Sequence, residues 1–401
     1  MSTLESNDDI NDQGFLTLLS GDLHPLQRVP LLALGFIGLF IGVGGGLARL
    51  GWSVPALAAS ASSLHGPLMV GGFLGVVIAL ERAVAIGRYW AYLGPLLAGL
   101  GGIAAVAGAT PIAAWFLLAG SIMLLAASID VFRRQRAVFT FTLVLGAACW
   151  SVGNLLWAVG LPVHEIVTWW LAFLILTIAA ERLELSRFLP PSPMAKWTFA
   201  MILVVLGAGL LGARRHWGPQ VFAVGLLALS AWLLKHDIAR RTVRNQGLTR
   251  FIAVCLLSGY VWLAVGGGVI LAAGGLSPGS PSYDAAVHAL ALGFVFSMVF
   301  GHAPIIFPAV LRVAVPYHRT FYVPLVLLHV SLAVRLAGDA AGQYDWTRAG
   351  AMLNALALAA FVVSTATAVA RARRSGTVRQ PAKTTGSDSP NVPGPNAGPR
   401  G

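Results

Sequence analysis

A chain of 401 residues that is 57% hydrophobic and only 10% charged has too little polar surface to cover a water-soluble fold, which excludes a soluble enzyme or binding domain. The net charge of +12 invites a nucleic-acid partner. The basic residues are spread between apolar runs along the whole chain instead of forming a patch, so no nucleic acid is expected and the partner is the lipid bilayer.

Residues 1–29 open the chain with four acidic residues before Gly14, and GFLTLLS at 14–20 is too short to span a membrane or to act as a cleavable signal. They are expected to be a cytoplasmic N-terminal segment. Twelve apolar runs follow, near 30–48, 56–80, 91–108, 112–130, 137–160, 163–181, 197–213, 219–235, 250–273, 284–311, 321–337 and 346–370. Each has the length and composition of a transmembrane helix and is bounded by Gly, Pro or Arg. The expected fold is all-α: a polytopic bundle of about twelve helices over 30–371. With the N-terminus inside, 22 of the 27 Lys and Arg fall on the cytoplasmic side. This is the positive-inside rule, and it predicts both termini inside, in the cytoplasmic (inner) membrane of a bacterium. The stretch 372–401, rich in Pro, Gly and Ser, is expected to be a disordered cytoplasmic tail. Cys149 and Cys255 lie alone in separate spans and read as packing residues.

Ionisable side chains at membrane depth are functional candidates by default, and five of the nine histidines fall within the spans or at a span's edge. His65 in the second span, His164 at the start of the sixth and His288 near the start of the tenth lie on helices that run in one direction. His65 sits roughly 14 Å below the outer surface and His288 about 6–8 Å, while His164 is nearly at the surface. His302 follows His288 by 14 residues, which at 100° per α-helical residue places the two ~40° apart on one face and ~21 Å apart in depth. His329 in the eleventh span matches His302 in depth, so those two are expected to mark a second, deeper site.

Glycines beside the histidines (Gly66, Gly71, Gly72 and Gly75; Gly293 and Gly301) let a flat cofactor approach the backbone, and Pro67 and Pro304 each remove a helical hydrogen bond shortly after a histidine. His65, His288, His302, His329 and His164 are the candidate metal ligands, the first four also holding a haem. Glu165 and Asp284, with Tyr283, are placed to orient ring N–H groups. Glu81 closes the second span as Glu181 closes the sixth, each followed by Arg. This parallel suggests three pseudo-equivalent four-helix units, with Glu81 as the mouth of a proton path or a plain interfacial ion pair.

The motif HGPLM at 65–69 resembles the His-Gly-x-[Leu/Met]-Met of the second helix of haem-copper oxidase main subunits, whose histidine binds the low-spin haem. The stretch HALALGFVFSMVFGHAPIIFPAVLRVAVPYHRTF at 288–321 is more similar to the NnrS family of twelve-span haem- and copper-containing proteins. Its HALTVGA…TRASLGHTGR would place its histidines on His288 and, loosely, His318. The resemblance implies haem b, possibly copper, a redox partner, and a link to nitric oxide or respiratory metabolism. The sequence departs from the oxidases in lacking GHPEVY, the His-His pair and His-x-His, and the NnrS HAHE is reduced to His65 alone. An oxygen-reducing centre is therefore not expected. The alternative is a twelve-span secondary transporter that uses the same histidines as proton or substrate sites.

Overall fold

A computed structural model of the chain describes residues 21–185 and 192–374. The expected disordered tail from 375 onward and the first 20 residues lie outside the described residues. Twelve helices are long and apolar enough to cross a membrane, and no strand occurs among the described residues. They are α1 (Pro25–Arg49), α2 (Ser62–Ile86), α3 (Tyr89–Val106), α4 (Thr110–Arg134), α5 (Val138–Ala158) and α6 (Val163–Leu185). The second half holds α7 (Pro193–Leu211), α8 (Gly218–His236), α9 (Gly247–Ala272), α10 (Pro281–Leu311), α11 (Arg319–Ala341) and α12 (Tyr344–Arg374). The protein is a multi-pass membrane protein. The basic-residue count assigns the α1–α2 loop to the outer face, and "outer" and "cytoplasmic" follow that assignment.

Local chemistry sets the helix ends. Pro occupies the first turn of α1, α7 and α10, where its missing N–H costs nothing, and Ser192 and Ser280 accept from Ala195 N and Tyr283 N at 3.2 and 3.1 Å. Gly87 and Gly342 stop α2 and α11 in the left-handed region, at φ of 65° and 63°. The second crossing starts later than the hydropathy predicts. Residues Ala56–Ser60 form a separate short helix, and a tight turn at Ser62–Leu64 re-aims the chain before His65.

The bundle is centred on α6 and α10. In their most apolar windows 78% and 67% of residues are buried, against 33% for α7 and α12, which face lipid. Small residues draw α1 and α2 together: a Cβ on Gly38 would sit 2.8 Å from the Gly72 carbonyl carbon. On the other side of α2, Trp150 of α5 stacks on Phe173 of α6 at 4.9 Å and fills the space beside Gly75. Asn154 locks α4, α5 and α6, donating to the Leu117 carbonyl and accepting from Trp170 Nε1, both at 3.0 Å.

Two stretches leave the α-helical hydrogen-bond pattern. Leu68–Gly75 in α2 and Ala289–Phe296 in α10 are π-helical, and each begins just after a histidine. Both end in phenylalanine-bearing turns that meet: Phe73 and Phe296 stack with centroids 6.0 Å apart and planes 15° from parallel. A π-helical stretch turns less per residue than an α-helix because each hydrogen bond spans one residue more. The expectation that His288 and His302 share a face is thereby corrected: the α-helical period does not hold across 289–296, and the two rings face different helices.

A candidate cofactor site between two imidazoles

The His65 and His288 rings lie opposite each other, centroids 6.2 Å apart and planes 22° from parallel. His65 Nδ1 is 2.7 Å from the Gly42 carbonyl of α1, and His288 Nδ1 is 2.9 Å from the Asp284 carbonyl one turn earlier. A carbonyl only accepts, so in both rings Nδ1 carries a proton, and in the neutral ring Nε2 keeps its lone pair. Among the described residues nothing hydrogen-bonds to either Nε2. The pair therefore presents two unspent imidazole lone pairs at one depth of the membrane.

The surroundings fix this arrangement. Gly46 packs flat against His65, since a Cβ there would lie 2.8 Å from ring atoms Cε1 and Nδ1. Asp284 Oδ1 also reaches His288 Nδ1 at 3.2 Å. The same carboxylate takes two hydrogen bonds from Arg335 of α11, Nε and Nη2 each at 2.7 Å. Arg335 is 7% exposed, so the bidentate pair is a largely dry strut that positions the turn carrying His288.

The other candidates are placed differently. His302 donates from Nδ1 to the Met298 carbonyl at 2.6 Å, and its Nε2 accepts from Arg182 of α6, which uses up its lone pair. His329 accepts at Nδ1 from Trp262 Nε1 at 2.8 Å, so Nε2 carries the proton and is buried with no partner. That nitrogen offers an N–H to its surroundings. The expected shared site of His302 and His329 is not assembled: one ring faces α6 and the other faces α9. His164 is exposed at the start of α6. Glu165 pairs with Arg214 at 3.3 Å, which takes it away from both His164 and His288. Glu81 and Glu181 line a common cavity with His302 at the cytoplasmic end.

Sequence reasoning missed Arg335, Gly42 and Gly46, and read Arg182 only as the Arg that follows Glu181 at a span end. Arg335 had a legible signal: α11 runs on to Ala341, so this Arg sits inside a span and needs a partner. The Gly44–Gly46 run was a second signal, for close approach of a ring.

Whether these residues fit a haem can be tested on their geometry. If both Nε2 point at one iron about 2 Å away, with a ring radius of about 1.2 Å, the two ring centres fall about 6.4 Å apart, against the observed 6.2 Å. Among the described residues no three His, Cys, Asp or Glu gather. Two histidines suit a metal that brings its own equatorial ligands, as haem does. The His288 side chain is 17% exposed, and the α1 wall beside His65 is glycine at 42, 44, 45 and 46. The ring spacing and the glycine wall are what a haem placed there would need. Cys149 and Cys255 are buried in α5 and α9, which leaves only non-covalent attachment.

No curated protein matches the chain. A family profile described as "Domain of unknown function (DUF8744)" matches residues 28–370, from the first turn of α1 into the last turns of α12. The protein belongs to that family.

Proposed function

We propose that the protein is a membrane cytochrome of b type, in which His65 and His288 hold one haem in the outer half of the bundle. The observation that carries this reading is the facing imidazole pair with both Nδ1 protons spent on carbonyls and both Nε2 lone pairs free. The bound group would supply one-electron chemistry. The protein would hold it through the two Nε2 nitrogens, with the Asp284–Arg335 strut setting one of them.

With both histidine nitrogens holding the group, no position would be left for a gas such as nitric oxide, which favours electron transfer. The NnrS resemblance then bears on scaffold and respiratory context, and a redox partner, more than on direct nitric oxide chemistry. Among the described residues no three His, Cys, Asp or Glu gather to hold copper, and it is not part of the proposal. The charge asymmetry of the loops supports a bacterial cytoplasmic membrane with both termini inside.

The test is a reduced-minus-oxidised spectrum of detergent-purified protein expressed with ample haem precursor. Sharp b-type bands are expected in the wild type and in His302→Ala and His329→Ala, and are lost in His65→Ala and His288→Ala. Protein that is monodisperse yet carries no haem, or that carries copper instead, refutes the proposal.

A further inference from the structure

A cavity of about 580 Å³ opens at the cytoplasmic half of the bundle, walled by α1, α2, α6, α10 and α12. Its inner end lies at Phe73 and Phe296, and its floor carries Glu81, Glu181 and His302. Phe73 and Glu81 are eight residues apart on α2, so the apolar part is ~12 Å deep. Exposed Phe40 of α1 and exposed Ala366 and Ala370 of α12 line it too, so its mouth opens sideways toward lipid between these helices. Arg373, exposed in the last turn of α12, stands at the cytoplasmic edge of that mouth.

Neither Glu81 nor Glu181 has an ion pair or hydrogen bond among the described residues. Two carboxylates facing an apolar cavity need either a cation or several hydrogen-bond donors to offset their lost hydration. Arg82 and Arg182 act on both carboxylates through space without hydrogen-bonding to either, and Nη2 of Arg182 is held by His302. The cavity thus places two carboxyl groups with free acceptor oxygens inside, positive charge at its rim and hydrocarbon-like walls toward the bilayer centre. A primary ammonium, a phosphate and an acyl chain match these features in order.

We propose that this cavity binds an aminophospholipid of the cytoplasmic leaflet, such as phosphatidylethanolamine. Its ammonium sits against Glu81 and Glu181, its phosphate against Arg373, and one acyl chain rises toward Phe73 and Phe296. A quaternary choline head has no N–H to donate, and a phosphatidylglycerol head has no cation, so both are discriminated against. The assignment does not depend on the haem reading.

The test uses the full-length protein in phosphatidylcholine nanodiscs, titrated with phosphatidylethanolamine fluorescently labelled on its tail. Unlabelled phosphatidylethanolamine, phosphatidylcholine, phosphatidylglycerol and dodecylamine are the competitors. Unlabelled phosphatidylethanolamine is expected to compete at least tenfold better than the other two phospholipids. The preference should disappear in Glu81→Gln/Glu181→Gln and fall in Arg373→Gln, while dodecylamine still competes in the latter. Ala366→Trp, which fills the mouth without altering charge, should abolish binding in a protein that remains monodisperse. Equal competition by the three phospholipids, preference retained in the double Gln variant, or displacement by dodecylamine alone overturns the proposal.

Discussion

Replacing Gly46 with Ala tests the His65–His288 pair without touching either histidine. The new Cβ would lie 2.8 Å from His65 Cε1 and Nδ1, where ordinary contact begins at 3.4 Å, so the ring must move by about 0.6 Å. That shift stretches the 2.7 Å bond to the Gly42 carbonyl to about 3.3 Å, past the normal range for N–H···O, and pulls Nε2 off the axis it shares with His288. Overpacking of this kind costs about 1–3 kcal/mol. Charged against cofactor binding, this is a loss of roughly 5- to 150-fold in affinity. The control is Gly268→Ala in α9, where an added Cβ meets nothing within 4 Å and the helix gains about 0.5–1 kcal/mol. Haem per protein, measured as the pyridine haemochrome after purification, should fall sharply in Gly46→Ala and be unchanged in Gly268→Ala. Full haem content with an unshifted band in Gly46→Ala would refute the argument that this glycine seats the ring.

Three other outcomes follow from the same geometry. Asp284→Asn strips the buried Arg335 guanidinium of its carboxylate and should cost about 3–5 kcal/mol, read as a lower unfolding midpoint together with a shifted or broadened haem band. Asn154→Leu leaves the Trp170 indole N–H unpaired, while the Leu117 carbonyl keeps its bond within α4. It should lower stability by about 1–3 kcal/mol while leaving the spectrum unchanged. Nitric oxide added to the reduced wild type should leave the spectrum unaltered within minutes, whereas His65→Gly protein resupplied with haem should respond at once. A prompt wild-type response would mean that only one of the two histidines holds the group.

The structure sharpens several residues that hydropathy and spacing could only nominate. His302 looked as strong a ligand as His288, because an α-helical period placed them on one face. The π-helical stretch Ala289–Phe296 breaks that period, and no composition rule marks where a helix takes an extra residue per turn. His329 had the depth to join His302, yet Trp262 of another helix fixes its tautomer with the N–H on the wrong nitrogen for a ligand. Glu165 had the type and position to support a histidine, but the more distant Arg214 claims it.

The different depths expected for His65 and His288 gave way to rings 6.2 Å apart, because α2 begins only at Ser62. The sequence by itself determined the twelve apolar crossings and, from the Lys and Arg asymmetry, the expected direction of each. Those are properties of each segment's transfer from water to hydrocarbon, and they add up along the chain without reference to neighbours. Only the tertiary structure decided which histidines face each other and which still have a lone pair to give. A neutral imidazole has one donor and one acceptor nitrogen, and which is which depends on the group that a second helix presents to it. Gly42 and Arg182 make that choice across helix contacts, Asp284 makes it with Arg335 behind it, and none of these contacts is encoded in the spacing of the histidines themselves.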